Sequence, residues 1–200
     1  MPLAPQSIGR RERNKQAKLE RITAAASELF ATQGVDEVTT QQIADKADIG
    51  AGTLFLYAKT KGELLLLVQN AHYATALASG RAAAETVPSV LDAVLAIVRP
   101  VVACNRVQVD NGRTYLREML FGDPSEPHHA EALKISARTE QAVAGILSRH
   151  EAITEADAAT LARVVLSSMF MTMASGANSP VSTEEIIERI RGQIAAILPH

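Results

Sequence analysis

Apolar residues recur at steps of three and four along most of this chain. The first such stripe is Leu19, Ile22, Ala26, Leu29 and Phe30. One apolar face at that period predicts an amphipathic helix beginning near Glu12. Gly34 ends it, in the position after a helix where a left-handed backbone costs little, and Val35 and Val38 pin the link that follows. From Thr39 to Lys61, TTQQIADKADIGAGTLFLYAKTK, the long period breaks into two short pieces. Thr39 and Gln42 have capping-box spacing ahead of the apolar Ile43, Ala44 and Ala47, so a short helix starts there. Asp48-Ile49-Gly50 interrupts the pattern, and a second short helix is expected over Ala51 to Ala58 with Leu54 as its inward anchor. Two helices separated by a turn of about 3–4 residues make a helix-turn-helix unit.

Beyond it, Lys59-Thr60-Lys61-Gly62 leads into an apolar segment from Glu63 to about Gly80. Pro88 is read as an early residue of the next helix. That helix runs through Leu91, Val94, Leu95, Val98 and Val102 and contains Pro100, where a kink is expected. Asp110-Asn111-Gly112 reads as a turn. Arg113 to Phe121 reads as a short helix stopped by Gly122-Asp123-Pro124. Ser125 is the expected cap of a long helix to about His150, with Pro127 in its first turn. Thr154, with Asp157 at the third position, caps the next, up to Ser175-Gly176. Thr183 caps a last helix, Glu184 to Leu198. The expectation is an all-α chain of about nine helices with no strand. It divides into an arm at 1–9, a helix-turn-helix domain at 10–62 and a helical effector-binding and dimerisation domain at 63–200.

Composition agrees with that pattern. Of the 200 residues 47% are hydrophobic and only 4% aromatic, with no tryptophan, so the core is built from Leu, Ile, Val, Ala and Met. Cys104 is the single cysteine, so no intrachain disulfide forms. No apolar run reaches the roughly 18 residues of a membrane span, and MPLAPQSIGRRERNK lacks the apolar core of a signal peptide. These features point to a soluble cytoplasmic protein that does not engage a membrane.

The net charge of −2 conceals an asymmetry. Residues 1–61 hold nine Lys/Arg against seven Asp/Glu, and the remainder eleven against fifteen. The basic excess is sharpest at Arg10, Arg11, Arg13, Lys15, Lys18 and Arg21, so a polyanion would meet the N-terminal third. In the second short helix Ala51 and the Thr53 methyl can touch thymine methyls, and Gly52 lets the backbone come close. Gln41 has the amide that pairs with adenine. Thr40 offers a hydroxyl beside a helix N-terminus, a phosphate site. Tyr57 and Lys61 flank the far end and suit phosphate contacts.

Residues from about 15 to 67 resemble the DNA-binding domain of the tetracycline-repressor (TetR/AcrR) family of bacterial transcription regulators. The residues that carry the likeness are Ile22, Ala25, Ala26, Leu29, Phe30, Gly34, Thr39, Ile43, Ala44, Ala47, Ile49, Gly52, Thr53, Leu54, Phe55, Tyr57, Lys61 and Leu64. The resemblance implies a homodimer whose recognition helices bind a palindromic double-stranded operator. It also implies a divergent helical domain in which a small-molecule effector triggers release. The DNA-facing set is then Thr40, Gln41, Gly50, Ala51, Gly52, Thr53, Phe55, Tyr57 and Lys61. The chain departs from the family pattern at Phe55-Leu56, where an aromatic pair is common, and at Tyr57-Ala58, where His-Phe is frequent. Asp48 stands for a frequent turn glycine and Gly50 for a capping serine. With no arginine in the recognition helix, specificity would rest on apolar contacts, Gln41 and DNA shape.

The C-terminal two-thirds carries no motif of that strength. Candidate effector-lining residues between the middle helices are Tyr73, Cys104, Arg106, Tyr115, Met119, Phe121 and Met169, where methionine suits an adaptable apolar wall. Leu161, Val165, Ser168, Ile186, Ile190 and Ile194 are candidates for a four-helix interface made by the last two helices of each subunit. His128-His129 are taken as exposed residues near a helix start. Adjacent residues point about 100° apart, so they chelate poorly; no metal or cofactor is expected. No Gly-x-Ser-x-Gly, phosphate-binding glycine loop or His/Glu cluster supports catalysis. A helical carrier or enzyme with a vestigial DNA-binding head stays open as an alternative, as does a constitutive DNA-binding dimer without a ligand.

Overall fold

Helices account for about three quarters of residues 9–199, which the computed structural model describes. The arm expected at 1–9 therefore lies, but for Gly9, outside the described residues. In chain order the helices are α1 (Arg10–Gln33), α2 (Thr40–Lys46), α3 (Ala51–Leu54), α4 (Lys61–Ala84), α5 (Val90–Asn105), α6 (Val109–Phe121), α7 (Pro127–Leu147), α8 (Glu155–Ala174) and α9 (Thr183–Ile197). A short 3-10 turn, Gly176–Asn178, precedes α9, and the described residues include no strand.

The first three helices close over one small core. Ile22, Ala25, Ala26 and Phe30 of α1 are buried against Ile43 and Ala44 of α2 and Leu54 of α3. α1 starts at Arg10, two residues before the periodic pattern becomes readable. Gly34 terminates it with φ 82°, a backbone that a side chain would strain. The capping box at α2 closes in both directions. Gln42 N donates to Thr39 Oγ1 at 3.2 Å, and Thr39 N donates to Gln42 Oε1 at 2.7 Å; such a cap is worth about 1 kcal/mol. α3 is a single turn, shorter than the expected Ala51–Ala58. After Leu54 the bonds tighten to three-residue closures, Leu56 N to Thr53 O and Tyr57 N to Leu54 O.

α4 belongs to both halves of the molecule. Thr60 caps it, accepting from Glu63 N at 3.0 Å, and Glu63, Leu64, Leu65 and Leu66 are buried in succession. A helix buried on every side must be surrounded: α1 packs against it from the head, and α5, α6 and α7 from the body. The boundary expected at 62–63 falls in its first turn.

Several expected boundaries move for identifiable reasons. Asp110-Asn111-Gly112 is not a turn but the first turn of α6, capped by Gln108. Its small residues serve contacts rather than chain reversal: a Cβ at Gly112 would lie 2.0 Å from Asn105 O, so α5 and α6 meet only because glycine is there. Pro88 lies outside α5, which Ser89 caps. α7 is capped by Glu126, because Ser125 instead donates its N–H and hydroxyl to Asp123 Oδ1. Ser182, not Thr183, caps α9. Thr154 caps α8 as expected, accepting from Asp157 N, and α5 runs through Pro100 as one helix.

A seam of polar groups joins head to body. Asn111 is buried; its Oδ1 accepts from Val35 N at 2.7 Å and its Nδ2 donates to Phe30 O at 2.8 Å. Glu63 Oε1 accepts from His129 N at 3.2 Å, while Glu63 Oε2 and both ring nitrogens of His129 are buried without partners. The expected exposure of His128-His129 is therefore wrong. His129 is buried and His128 half-buried, because Pro127 begins α7 directly against α4. Burial pushes the Glu63 carboxyl above its usual range.

Two outcomes follow. Asn111→Ala leaves the Val35 N–H and Phe30 carbonyl unsatisfied, and should lower unfolding free energy in urea by about 2–4 kcal/mol. For Glu63 the folded pKa is the raised one, so this group's contribution is full below about pH 4 and is lost as pH climbs through the raised value. Glu63→Gln keeps the acceptor for His129 N and removes the charge, so thermal melts at neutral pH should show a higher Tm than wild type. That gain should shrink toward acidic pH.

Candidate nucleic-acid interface and internal pocket

Ala47 to Gly50 turns the chain between α2 and α3. Asp48 takes φ 52° there, a conformation that Asp tolerates better than most side chains. Arg21 Nη1 donates to its carboxylate at 3.2 Å and its carbonyl at 3.4 Å, so the acidic residue that stands for a frequent turn glycine is met by a guanidinium. Gly50 and Gly52 are exposed, and a Cβ at either would find no atom within 4 Å. Nothing inside the protein requires glycine at these two positions; the outer face of the turn is clear. Ala51 and Thr53 beside them are half-buried.

The flanking candidates fall around this face. Thr40 is half-buried and Gln41 exposed. Gln41 Nε2 donates to Asp45 Oδ1 at 2.7 Å, an exposed pair worth a few tenths of a kcal/mol and readily exchanged for a base. Phe55 is 46% exposed and Leu56 83%, an apolar pair with no internal partner to cover it. The Tyr57 hydroxyl donates to Lys15 O at 3.4 Å, and Lys61 Nζ donates to Asp36 O at 2.9 Å. Tyr57 is thus held against the first turns of α1, and Lys61 toward the loop between α1 and α2.

The effector candidates separate into two groups. Tyr73, Tyr115, Met119 and Met169 line one internal void of about 20 Å³, closed by Val101 and Ile135. Tyr73 and Tyr115 stack with ring centroids 4.2 Å apart. Burial drives both phenols above their usual range, so they stay neutral and act as donors or acceptors only. The other three lie elsewhere. Phe121 is 82% exposed at the end of α6. Burial raises the Cys104 thiol to about 11, so it is an inert thiol, in a separate cleft with Phe30 and His72. Arg106 is buried but donates to the carbonyls of Asn178 and Val181, tying α5 to the segment before α9.

The interface candidates are also corrected. Val165, Ile186, Ile190 and Ile194 are buried within one chain, where α8 and α9 pack together and α9 meets α5. Their stripe is the inner face of those helices. Leu161 and Ser168 stay half-buried, and the apolar residues that α8 turns outward are Val164 at 44% and Met171 at 73%.

Sequence reasoning missed a polar path through the body. Asn105 Nδ2 donates to Tyr73 Oη at 2.7 Å, and the Tyr115 hydroxyl donates to Asn70 Oδ1 at 2.9 Å. Asn70 Nδ2 donates to His128 O at 2.9 Å, and His128 Nε2 lies 3.0 Å from Tyr57 O, to which it donates. A Lys59–Glu126 ion pair lies alongside. Asn70 was the available signal, an amide inside the apolar run from Glu63 to Gly80.

Residues 22–68 match the model of the family described as bacterial regulatory proteins, tetR family. No curated protein matches the chain. Among solved structures, a TetR transcriptional regulator from Rhodococcus sp. RHA1 is similar with TM-score 0.70 at 20% identity, over 92% of this chain and 97% of that one. FadR of Thermus thermophilus, a TetR-family repressor solved in complex with lauroyl-CoA, gives 0.68 at 21%, over 91% and 96%. SCO4454 of Streptomyces coelicolor, a TetR-family regulator, gives 0.63 at 20%, over 93% and 90%. The helix-turn-helix at residues 22–68 is thus similar to that of the tetR family of bacterial regulatory proteins, and the whole chain shares the fold of solved TetR-family regulators.

Proposed function

We propose that the chain is a dimeric repressor that leaves a palindromic operator when a small-molecule effector enters its body. The observation that carries this reading is the hydrogen-bonded path from the tyrosine-lined void to Tyr57 O, three residues past α3. Gly50 to Thr53 enter the major groove, Thr40, Tyr57 and Lys61 hold phosphates, and Gln41 reads a base edge. The head is 10–62 and the effector and dimer region 63–200. Two copies meet through the outward face of α8, with Val164 and Met171 joining Leu161 and Ser168, and α9 packs beside it.

The void holds only about 20 Å³, too little for an effector, so an effector binds only a rearranged body. Such a ligand must favour one of two arrangements, which is the requirement for a switch. Met119 and Met169 can repack to admit it. The lauroyl-CoA bound by the Thermus thermophilus FadR supports an effector with an apolar chain.

Selection of genomic fragments with purified protein tests the reading, and a short palindromic consensus is expected. Enrichment without a consensus would overturn it. On the selected site Lys61→Ala should weaken binding to specific and random DNA alike. It should also reduce the slope of log affinity against log salt by about 1 per subunit, read by fluorescence anisotropy. Tyr115→Phe keeps the ring stack and removes the donor to Asn70. Effector affinity should change by less than about threefold, the hydroxyl being worth about 1 kcal/mol or less to a ligand it does not touch, while effector-driven DNA release is lost. Release at the wild-type level would remove Tyr115 from the coupling.

A further inference from the structure

A second cavity of the body, of about 490 Å³, opens to solvent between the C-terminal ends of α4 and α7. Three guanidinium groups line it: Arg81 from α4, Arg138 from α7 and Arg149 from the turn just past the end of α7. Glu85 is the one carboxylate in the lining, so the cavity carries a formal excess of positive charge within a chain that is acidic overall. Its floor is apolar, with Ile97 of α5 and Ile146 of α7 both buried.

The intramolecular partners of these arginines are few. Arg81 has no ion pair or hydrogen bond among the described residues, although Glu85 stands one turn away on the same helix. Arg138 reaches Glu131 only at 3.6 Å and is 58% exposed. Arg149 spends one nitrogen, Nη1, on Ala84 O at 3.2 Å, at the end of α4. A basic side chain near a helix C-terminus is favourable in itself, which accounts for Arg149 and in part for Arg81. It does not account for Arg138, in the middle of α7, facing the same cavity. Planar guanidinium forks converging from two helices match oxyanions, and phosphate above all.

The cavity also adjoins the internal void along two shared helices. Ile97 lines the cavity and Val101, one turn on, lines the void; Ala142 lines the cavity and Thr139, one turn back, lines the void. Only one turn of packed side chains on α5 and on α7 separates the cavity from the void beside Tyr73 and Tyr115, so an apolar chain held at the arginines reaches the void once those side chains repack. We infer that the arginine-lined cavity is the head-group site of the effector, and that the effector is a phosphate-bearing amphiphile whose apolar tail fills the tyrosine-lined void. This deepens the effector reading above and rests on it.

The test uses the full chain, with n-decyl phosphate, decanol and the decanoyl thioester of coenzyme A, each below its critical micelle concentration, and inorganic pyrophosphate as a tail-free competitor. Isothermal titration should show decyl phosphate binding at least about tenfold tighter than decanol, the strength of one charge-assisted hydrogen bond. Pyrophosphate should displace decyl phosphate, and the advantage should fall with added NaCl. The double variant Arg81→Gln/Arg138→Gln, with an unchanged melting temperature, should abolish the preference over decanol. Tighter binding of the thioester than of decyl phosphate would assign the head to a nucleotide-linked carrier, and the reverse to a lipid phosphate; either supports the site. Equal affinity for decanol and decyl phosphate, untouched by the double variant, would overturn the arginine site while leaving an internal effector pocket intact. If no probe binds, the inference is overturned, and the regulator reading stands or falls on the selection of genomic fragments.

Discussion

The rest of this molecule depends on the burial of the start of one helix on all sides. α4 begins at the edge of the DNA-binding head and runs on along the body, and its first two turns hide Glu63, Leu64, Leu65 and Leu66 in succession. Three leucines at about 2 kcal/mol each outweigh the desolvation of one carboxylate. The head therefore cannot swing on a flexible linker: whatever moves α4, or the residues that clasp it, moves α1 and the recognition turn with it. Tightly packed interiors shift between discrete arrangements rather than deform smoothly, which suits a helix that both halves share.

The clasp itself is only partly satisfied. Asn111 completes its bonds to Phe30 and Val35, whereas Glu63 Oε2 and the His129 ring, on the same seam, are buried without partners. Unpaired buried polar atoms cost free energy in the arrangement described, and a rearrangement that pairs or hydrates them recovers it. The seam is thus complete at one end and unsatisfied at the other. The two stacked tyrosines sit at the far end of a hydrogen-bonded path leading to it, so a small displacement at the void has a defined mechanical outlet at Tyr57.

Much of the architecture was legible in the chain because it is written in local chemistry. The capping box at Thr39, the cap at Thr154, the glycine stop at Gly34 and the apolar stripe of α1 all formed as their residue types require. The failures have one physical source, since sequence patterns cannot say what a residue faces. Asn111-Gly112 has turn chemistry, but burial against Asn105 and Phe30 absorbed it into a helix. Ile186, Ile190 and Ile194 show an apolar stripe that would look the same whether it met a partner subunit or the chain's own α5. His128 and His129 look polar and loop-like until Pro127 starts α7 directly against α4. Of the effector candidates, those with helical spacing toward a shared centre came together, and Phe121, at a helix end, did not.

The recognition turn sharpens what such a head can read. It carries no arginine or lysine from Gly50 to Ala58, and its exposed side chains include Phe55 and Leu56. A surface of that kind gains little from guanine edges, whose usual partners are Arg and Lys. On the function proposed above, its discrimination would come from thymine methyls against Ala51 and Thr53, from Gln41 once released from Asp45, and from the ease with which a sequence deforms to meet the turn. On the same proposal, affinity would come from the basic face of α1, whose Lys15 and Lys18 are exposed, through phosphate contacts that fall steeply with salt. If two heads must be spaced to match the groove for those contacts to act together, a small rotation of α4 would be enough to forfeit them. A head poor in base contacts would for that reason be sensitive to the body behind it.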